Sequence, residues 1–232
     1  MSTEMFYVQM HIHTSESSRC GRATGAEMAR ACKAAGYSLM VTTDHFMNAN
    51  INCDRDLPWE QKIEILFRGY YAAKEEGKRI GLTVLPGWET NNGGPEYLTY
   101  GLTEEFLLDN PDIADVSAAE YLRRVRLAGG FVVQAHPFRR AAYIPDFTPD
   151  PTVVEAFEVF NFCNKSPEFD EQARKMARQY GLIMTAGSDA HTTDKVSGGA
   201  MLFPEPIYTM PDFIAAVRQN RFRLMPQPLC GA

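Results

Sequence analysis

Histidine is scarce in this chain, with five in 232 residues, and much else is scarce or missing. No apolar run approaches the roughly 20 residues of a membrane-spanning helix, and no basic segment leads into an apolar stretch near residue 1. A membrane protein and a secretory leader are therefore not expected. Basic residues are outnumbered, 23 Lys and Arg against 29 Asp and Glu, for a formal charge of −6. That balance disfavours a general polyanion-binding surface, so a small molecule is a better expected partner than long nucleic acid. The five cysteines, Cys20, Cys32, Cys53, Cys163 and Cys230, are odd in number and contain no C-x-x-C. This argues against a disulfide framework or a zinc ribbon and for reduced thiols in a cytoplasm. Internal repeats, low-complexity tracts and linkers are also missing, and a 45% hydrophobic share can fill one sizeable core. A single domain over residues 1–232 is expected.

The few histidines are not scattered. They fall in His11-Ile12-His13, Asp44-His45, His136-Pro137 and Asp189-Ala190-His191. One histidine among apolar residues is ordinarily a hydrogen-bonded core residue, but five beside acids, with two i,i+2 pairs, read as one metal site. Imidazole and carboxylate are the usual ligands of zinc, manganese and iron(II). In an extended strand, side chains alternate faces, so His11 and His13 point together, as do Asp189 and His191.

Around these clusters, short apolar runs alternate with amphipathic stretches. Strands are expected over 5–13, 38–43, 82–86, 96–102, 131–135, 155–161 and 182–186. Helices are expected over 25–35, 58–77, 118–128, 169–180 and 211–220. Nearly every candidate ligand, including Glu89 in Gly87-Trp88-Glu89, lies at or just past a strand's carboxyl end, where α/β folds gather functional residues. The segment 139–151, rich in Pro, Asp and aromatics, reads as a loop near that site.

In order, His11-x-His13, Thr42-Thr43-Asp44-His45, Gly87-Trp88-Glu89, Ala135-His136-Pro137 and Gly187-Ser188-Asp189-Ala190-His191 resemble the motifs of the PHP (polymerase and histidinol phosphatase) family, over residues 5 to 203. The resemblance implies an α/β fold, a distorted (β/α)7 barrel with its metal site at the C-terminal ends of the strands, and phosphoester hydrolysis with two or three divalent ions (Mn, Fe or Zn). It implies that His11, His13 and Asp189 hold one ion, that Glu89 bridges it to a second held by His136, and that His45 and His191 belong to a third. Two positions depart from the family pattern. Glu16, the one acid in residues 14–21, is expected to complete the third site, although Ser18 stands nearer the commonest position. Glu96, in Glu96-Tyr97-Leu98, stands where many members have histidine, and is either a ligand or a solvated strand residue.

Such a centre activates water shared between two ions roughly 3.5–4 Å apart, while cationic charge stabilises the transition state. Asp44 is a candidate acid for the leaving group, or a residue that orients a ligand histidine. Arg139 and Arg140 are candidate phosphate-binding residues, since guanidinium matches phosphate oxygens in a planar fork. Asn161 is expected to line the pocket. Cys163, Asn164 and Lys165 in the next loop are candidates for shaping substrate choice, and Cys20 is either a pocket thiol or a small buried hydrophobe. The expected substrate is a sugar or nucleotide phosphate monoester, or a small or cyclic phosphodiester. Hydrolysis of an amide or lactone, and an inactive metal-binding interaction module, are the alternatives.

Overall fold

The computed structural model describes residues 5–142 and 144–226; Cys230 and, within the 139–151 loop, Tyr143 lie outside them. The chain runs β1 (Phe6–Gln9), α1 (Gly25–Ala34), β2 (Leu39–His45), α2 (Trp59–Ile80), β3 (Thr83–Asn91), β4 (Glu96–Tyr100), α3 (Glu104–Leu108), α4 (Ala118–Leu127), β5 (Phe131–Ala135), β6 (Ala156–Asn161), α5 (Pro167–Tyr180), β7 (Ile183–Gly187), β8 (Ala200–Phe203), α6 (Met210–Arg218) and β9 (Arg223–Met225). Helix boundaries follow local chemistry. Thr24 and Glu27 form a reciprocal capping box at α1, Ser166 caps α5 ahead of Pro167, and left-handed Gly81 and Gly181 end α2 and α5.

Among the described residues nine strands form one sheet in the order β7-β6-β5-β4-β3-β2-β1-β8-β9. β1, β2 and β3 are parallel, as are β5, β6 and β7, while β4 runs antiparallel to both its neighbours. The sheet curls until the chain beyond β7 meets the chain beyond β1. Ile12 bridges Ala190 in parallel, Asp189 N–H donates to His11 O, and His13 N–H donates to Ala190 O. β8 takes the earlier part of the same edge, pairing Phe6 to Val8. This is the expected distorted α/β barrel, with nine strands rather than seven. The extra ones are the short β8 and β9, whose residues carry no polar alternation to mark them.

Residues alternating along the strands fill the interior: Phe6, Val8, Leu39, Val41, Leu98, Tyr100, Phe131 and Val133. Phe213 of α6 packs on Tyr100 and Phe203, closing the end of the barrel where β5 and β1 begin. The opposite end holds the site. No helix among the described residues is long and apolar enough to cross a membrane.

Candidate metal centre

Strand parity decides which side chains reach the open end. On β2, Leu39 and Val41 are interior, so His45 follows on that face and Asp44 turns outward towards α2, where a side chain on Gly69 would meet its Oδ2. On β3, Leu85 is interior and Glu89 continues its face, while Trp88 packs outside with Phe46 and donates to Tyr121 Oη. Register sets His45 beside Glu89, and Glu96 beside Ala135, the residue before His136. β1 departs from simple alternation. Met10 belongs to the interior cluster but Ile12 to the outer one, so the pattern shifts by one residue and both His11 and His13 face inward. The Gln9 side-chain carbonyl fills this irregularity by accepting from His11 N and Ser188 N.

Two further candidate ligands sit on unusual backbone. His136 (φ 28°) and Asp189 (φ 55°) have positive φ, a region few non-glycine residues occupy and one that surrounding structure must enforce. Hydrogen bonds from His136 N to Glu158 Oε2 and from Asp189 N to His11 O do so.

The resulting cluster is dense. His11 Nε2, His13 Nε2 and Asp189 Oδ1 form a triangle with edges of 3.2, 3.2 and 3.4 Å. Ligands about 2.0–2.2 Å from a tetrahedral ion lie roughly 3.4 Å from one another, so this triangle matches one face of such a site. Glu89 straddles the next positions: Oε1 is 3.4 Å from His11 Nε2 and 3.3 Å from His136 Nε2, and Oε2 is 3.1 Å from His45 Nδ1. Glu96 Oε2 stands 3.5 Å from His136 Nε2. Donor atoms also converge in the sets His13, His45, His191 and His45, Glu89, Glu96, each within 4.8 Å. Glu89 Oε1 and His45 Nδ1 are buried without a hydrogen-bond partner. Orphaned donors and acceptors are costly in a dry site unless an ion takes them, so these residues fit divalent metals.

The electrostatics agree. Burial pushes the Glu89 and Asp189 carboxyls up, but His11 for the first, and Arg139 then His11 for the second, outweigh it and hold both well below the usual range. Burial pulls His11 down, and Glu158, Asp189 and Glu89 together raise it well above an ordinary imidazole. His13 is driven well below it by burial and by His191 and His45. Glu96 is raised by burial and by Glu89.

A second tier of residues holds the first. Glu158 accepts from His11 Nδ1 at 2.9 Å, His136 N at 3.0 Å and Asn161 Nδ2 at 2.8 Å. With its Nδ1–H committed there, His11 is left with a bare Nε2 for an ion. Sequence reading missed Glu158 as a functional residue, because a register shift between Glu158 and Phe160 breaks strand parity and turns Glu158 and Asn161 to the same side. Gly187 is needed opposite: a side chain there would collide with the Glu158 carboxylate and, at 2.6 Å, with His11 Cβ.

Several expectations need correction. Glu16 is turned away from the histidines and accepts from Gly25 N, at the start of α1, with both oxygens (3.1 and 3.0 Å). Asp44 does not line the cavity. It accepts from Thr14 N, Thr14 Oγ1 and Ser18 Oγ, and Ser18 Oγ lies 3.4 Å from His13 Nδ1, so Asp44 orients a histidine through a hydroxyl. Burial pushes its carboxyl up to about 7. Arg139 does reach the cavity but donates to Asp189 Oδ2 (2.6 Å), Asn161 Oδ1 (2.7 Å) and Asn164 Oδ1 (2.9 Å). Arg140 turns back over the Phe147 ring and donates to Phe147 O, away from the site. Asn161 is buried between Arg139 and Glu158 instead of lining the pocket.

The candidate ligands His45, Glu89, Glu96, His136, Asp189 and His191 line a cavity of about 520 Å³, together with Cys20, Asn48, Asn50 and Asn91. Cys20 is a pocket thiol rather than a buried hydrophobe. Burial opposes its ionisation, but hydrogen bonding with His191 and His45 brings it down to about 6.

A family model described as PHP-associated matches residues 167–222, the segment that carries Asp189 and His191. Similar solved structures include a two-domain protein containing a predicted PHP-like metal-dependent phosphoesterase from Bacteroides vulgatus ATCC 8482 (13% identity, TM-score 0.72, 96% of this chain and 65% of that one). This chain thus spans less than two thirds of that protein. A putative metal-dependent phosphoesterase from Bifidobacterium adolescentis ATCC 15703 is also similar (16% identity, TM-score 0.58, 91% and 96% covered). So is an amidohydrolase from Chromobacterium violaceum with bound sulfate and no metal (16%, TM-score 0.54, 93% and 97%). No curated protein matches the sequence significantly. The chain thus shares the barrel fold of these structures, and its segment 167–222 matches the PHP-associated family model.

Proposed function

We propose that the chain is a metal-dependent phosphoesterase acting on small soluble phosphate esters: a sugar or nucleotide phosphate monoester, or a small or cyclic phosphodiester. The observation that supports this most is the His11, His13, Asp189 triangle with 3.2–3.4 Å edges, continued through both oxygens of Glu89 to His136 and His45. Divalent ions held there would supply Lewis-acid neutralisation of phosphoryl charge and lower the pKa of water towards neutral pH. The protein's own residues fix the donors: Glu158 sets the His11 tautomer, and Arg139 pins Asp189. Because Arg139 is committed to Asp189, Asn161 and Asn164, and Arg140 points away, neutralising the substrate's charge would fall to ions held by the cluster. The amides of Asn48, Asn50 and Asn91 on the cavity wall suit a neutral, hydroxyl-rich or heterocyclic substituent. The cavity volume and the net charge of −6 favour a small substrate over long nucleic acid.

Turnover of chromogenic phosphate mono- and diesters, amides and lactones with added Mn(II), Zn(II) or Fe(II) tests the reading. Phosphoester turnover is expected, and His11→Ala should abolish it; full activity in that variant contradicts the assignment. Turnover of amides alone favours the second reading, which the shared fold of the Chromobacterium violaceum amidohydrolase supports.

A further inference from the structure

Beyond the candidate ligands, the cavity wall carries three amides, Asn48, Asn50 and Asn91, and they are not equivalent. Asn91 is spent on its own turn. Its Oδ1 accepts from Gly93 N (3.2 Å) and Gly94 N (3.4 Å), and its Nδ2 donates to Glu96 Oε1 (3.2 Å). Asn50 is exposed, so its amide stays hydrated. Asn48 is half-buried and held in one orientation. Its Oδ1 accepts from Thr90 Oγ1 at 2.7 Å and from Asn91 N at 3.3 Å, while Thr90 Oγ1 accepts from Asn92 Nδ2 at 3.3 Å.

That network fixes the polarity of the amide. A backbone N–H can only donate, and the Thr90 hydroxyl, accepting from Asn92, has its proton left for Asn48 Oδ1. Flipping the Asn48 amide would set its NH2 against the Asn91 N–H. Oδ1 is therefore turned to β3, and Nδ2, which has no hydrogen-bond partner among the described residues, is the atom left for the cavity. The side chains nearer the cluster present acceptors, and Arg139 is engaged with Asp189, Asn161 and Asn164. Position along the wall follows from burial. His45 and Phe46 are buried, residues 47–49 are half-buried and Asn50 is exposed. Asn48 thus stands between the ligands and solvent, on the stretch of wall that meets the part of a substrate beyond its phosphoryl group.

We infer that Asn48 is a specificity-determining residue whose Nδ2 donates to an uncharged oxygen or nitrogen acceptor on the leaving group. A sugar hydroxyl, a sugar ring oxygen and a nucleobase carbonyl all meet that requirement. Esters whose leaving group has no acceptor leave the amide unpaired once water is displaced, and are disfavoured. This inference rests on the phosphoesterase reading and narrows it, because one amide of fixed polarity sorts the substrates.

The test is a ratio of specificities. kcat/KM is measured on the metal-loaded full-length protein for a panel of sugar and nucleotide monophosphates and for phenyl phosphate, whose leaving group has no acceptor beyond the ester oxygen. Asn48→Ala is expected to lower kcat/KM for the accepted sugar or nucleotide phosphate roughly 2- to 10-fold relative to phenyl phosphate. Taking the ratio cancels any change in the metals or in phosphoryl binding, which both substrates share. An unchanged ratio, or a wild-type protein that hydrolyses phenyl phosphate but no member of the panel, overturns the inference and leaves the phosphoesterase reading standing. No phosphoester turnover by the wild type overturns that reading and this inference with it. If Asn48→Ala does not fold, Asn48→Asp, which keeps an acceptor for Thr90 Oγ1 and Asn91 N, is read by the same ratio.

Discussion

Replacing Glu158 with glutamine isolates the role of the residues behind the ligands. The carboxylate accepts three N–H groups, from His11 Nδ1, His136 N and Asn161 Nδ2, in a site with no solvent exposure of the side chain. Glutamine has one acceptor oxygen, so its amide NH2 must face at least one of those donors. If the NH2 takes the place of Oε2, His136 N and Asn161 lose their acceptor, and a buried unsatisfied polar group costs about 1–3 kcal/mol. If it takes the place of Oε1, His11 can escape by moving its proton to Nε2 and accepting at Nδ1, which spares the fold but removes the lone pair an ion needs. Glu158→Gln is therefore expected to destabilise the metal-free protein by at most about 3 kcal/mol and to weaken metal binding by roughly 10- to 100-fold, or about 1.4–2.7 kcal/mol. Denaturant unfolding of the stripped protein gives the first quantity and chelator competition for zinc gives the second. Wild-type zinc affinity in a folded Glu158→Gln protein would refute the reasoning.

Three other outcomes follow from the same contacts. In the metal-free protein Asp189 is held below its ordinary value of 3.8. The native state therefore binds fewer protons than the unfolded one, and this stability, present above the unfolded value, is lost as pH falls through it towards the folded value. Arg139→Gln should flatten that acid-side loss in unfolding measurements stepped down from neutral pH, and an unchanged slope would contradict it. Glu16→Gln should cost about 0.3–1 kcal/mol through weaker capping of α1 while leaving the metal content of purified protein unchanged; lost metal would return Glu16 to the ligand set. Gly187→Ala should destabilise by about 1–3 kcal/mol and lower metal content together, since its new methyl meets both Glu158 and His11; normal metal content in a stable variant would show that the two residues move apart freely.

What was legible in the sequence is what strand periodicity and residue type carry locally. His11 and His13 could be paired from i,i+2 spacing, and Glu89 and His136 from their place at strand ends, whereas Asp189 and His191, expected on an extended strand, lie beyond β7 with Asp189 at positive φ. An α/β architecture followed from the alternation of elements, and the barrel from the resemblance to the PHP family. Most of the misses, Asp44 excepted, share one physical source, which is that local pattern does not report where regular geometry breaks. Glu158 and Asn161 share a side because of the register shift in β6, and Asn161 consequently braces Arg139 instead of facing the cavity. Glu16 is the right residue type at a plausible spacing, yet the turn after His13 carries it to the N-terminus of α1 and leaves Cys20 on the cavity wall. Asp44 adjoins His45 in sequence, and strand alternation sends the two to opposite faces. β4 reverses direction through Gly93 and Gly94, both at positive φ, which brings Glu96 back beside Glu89 and His136.

The central claim is that one cluster at the barrel mouth holds several divalent ions. Anomalous diffraction from crystals of the zinc- or manganese-loaded protein tests it most directly. One peak is expected beside His11 Nε2, His13 Nε2 and Asp189, and a second between Glu89 and His136. Peaks elsewhere on the protein, with the triangle empty at saturating metal, would contradict it.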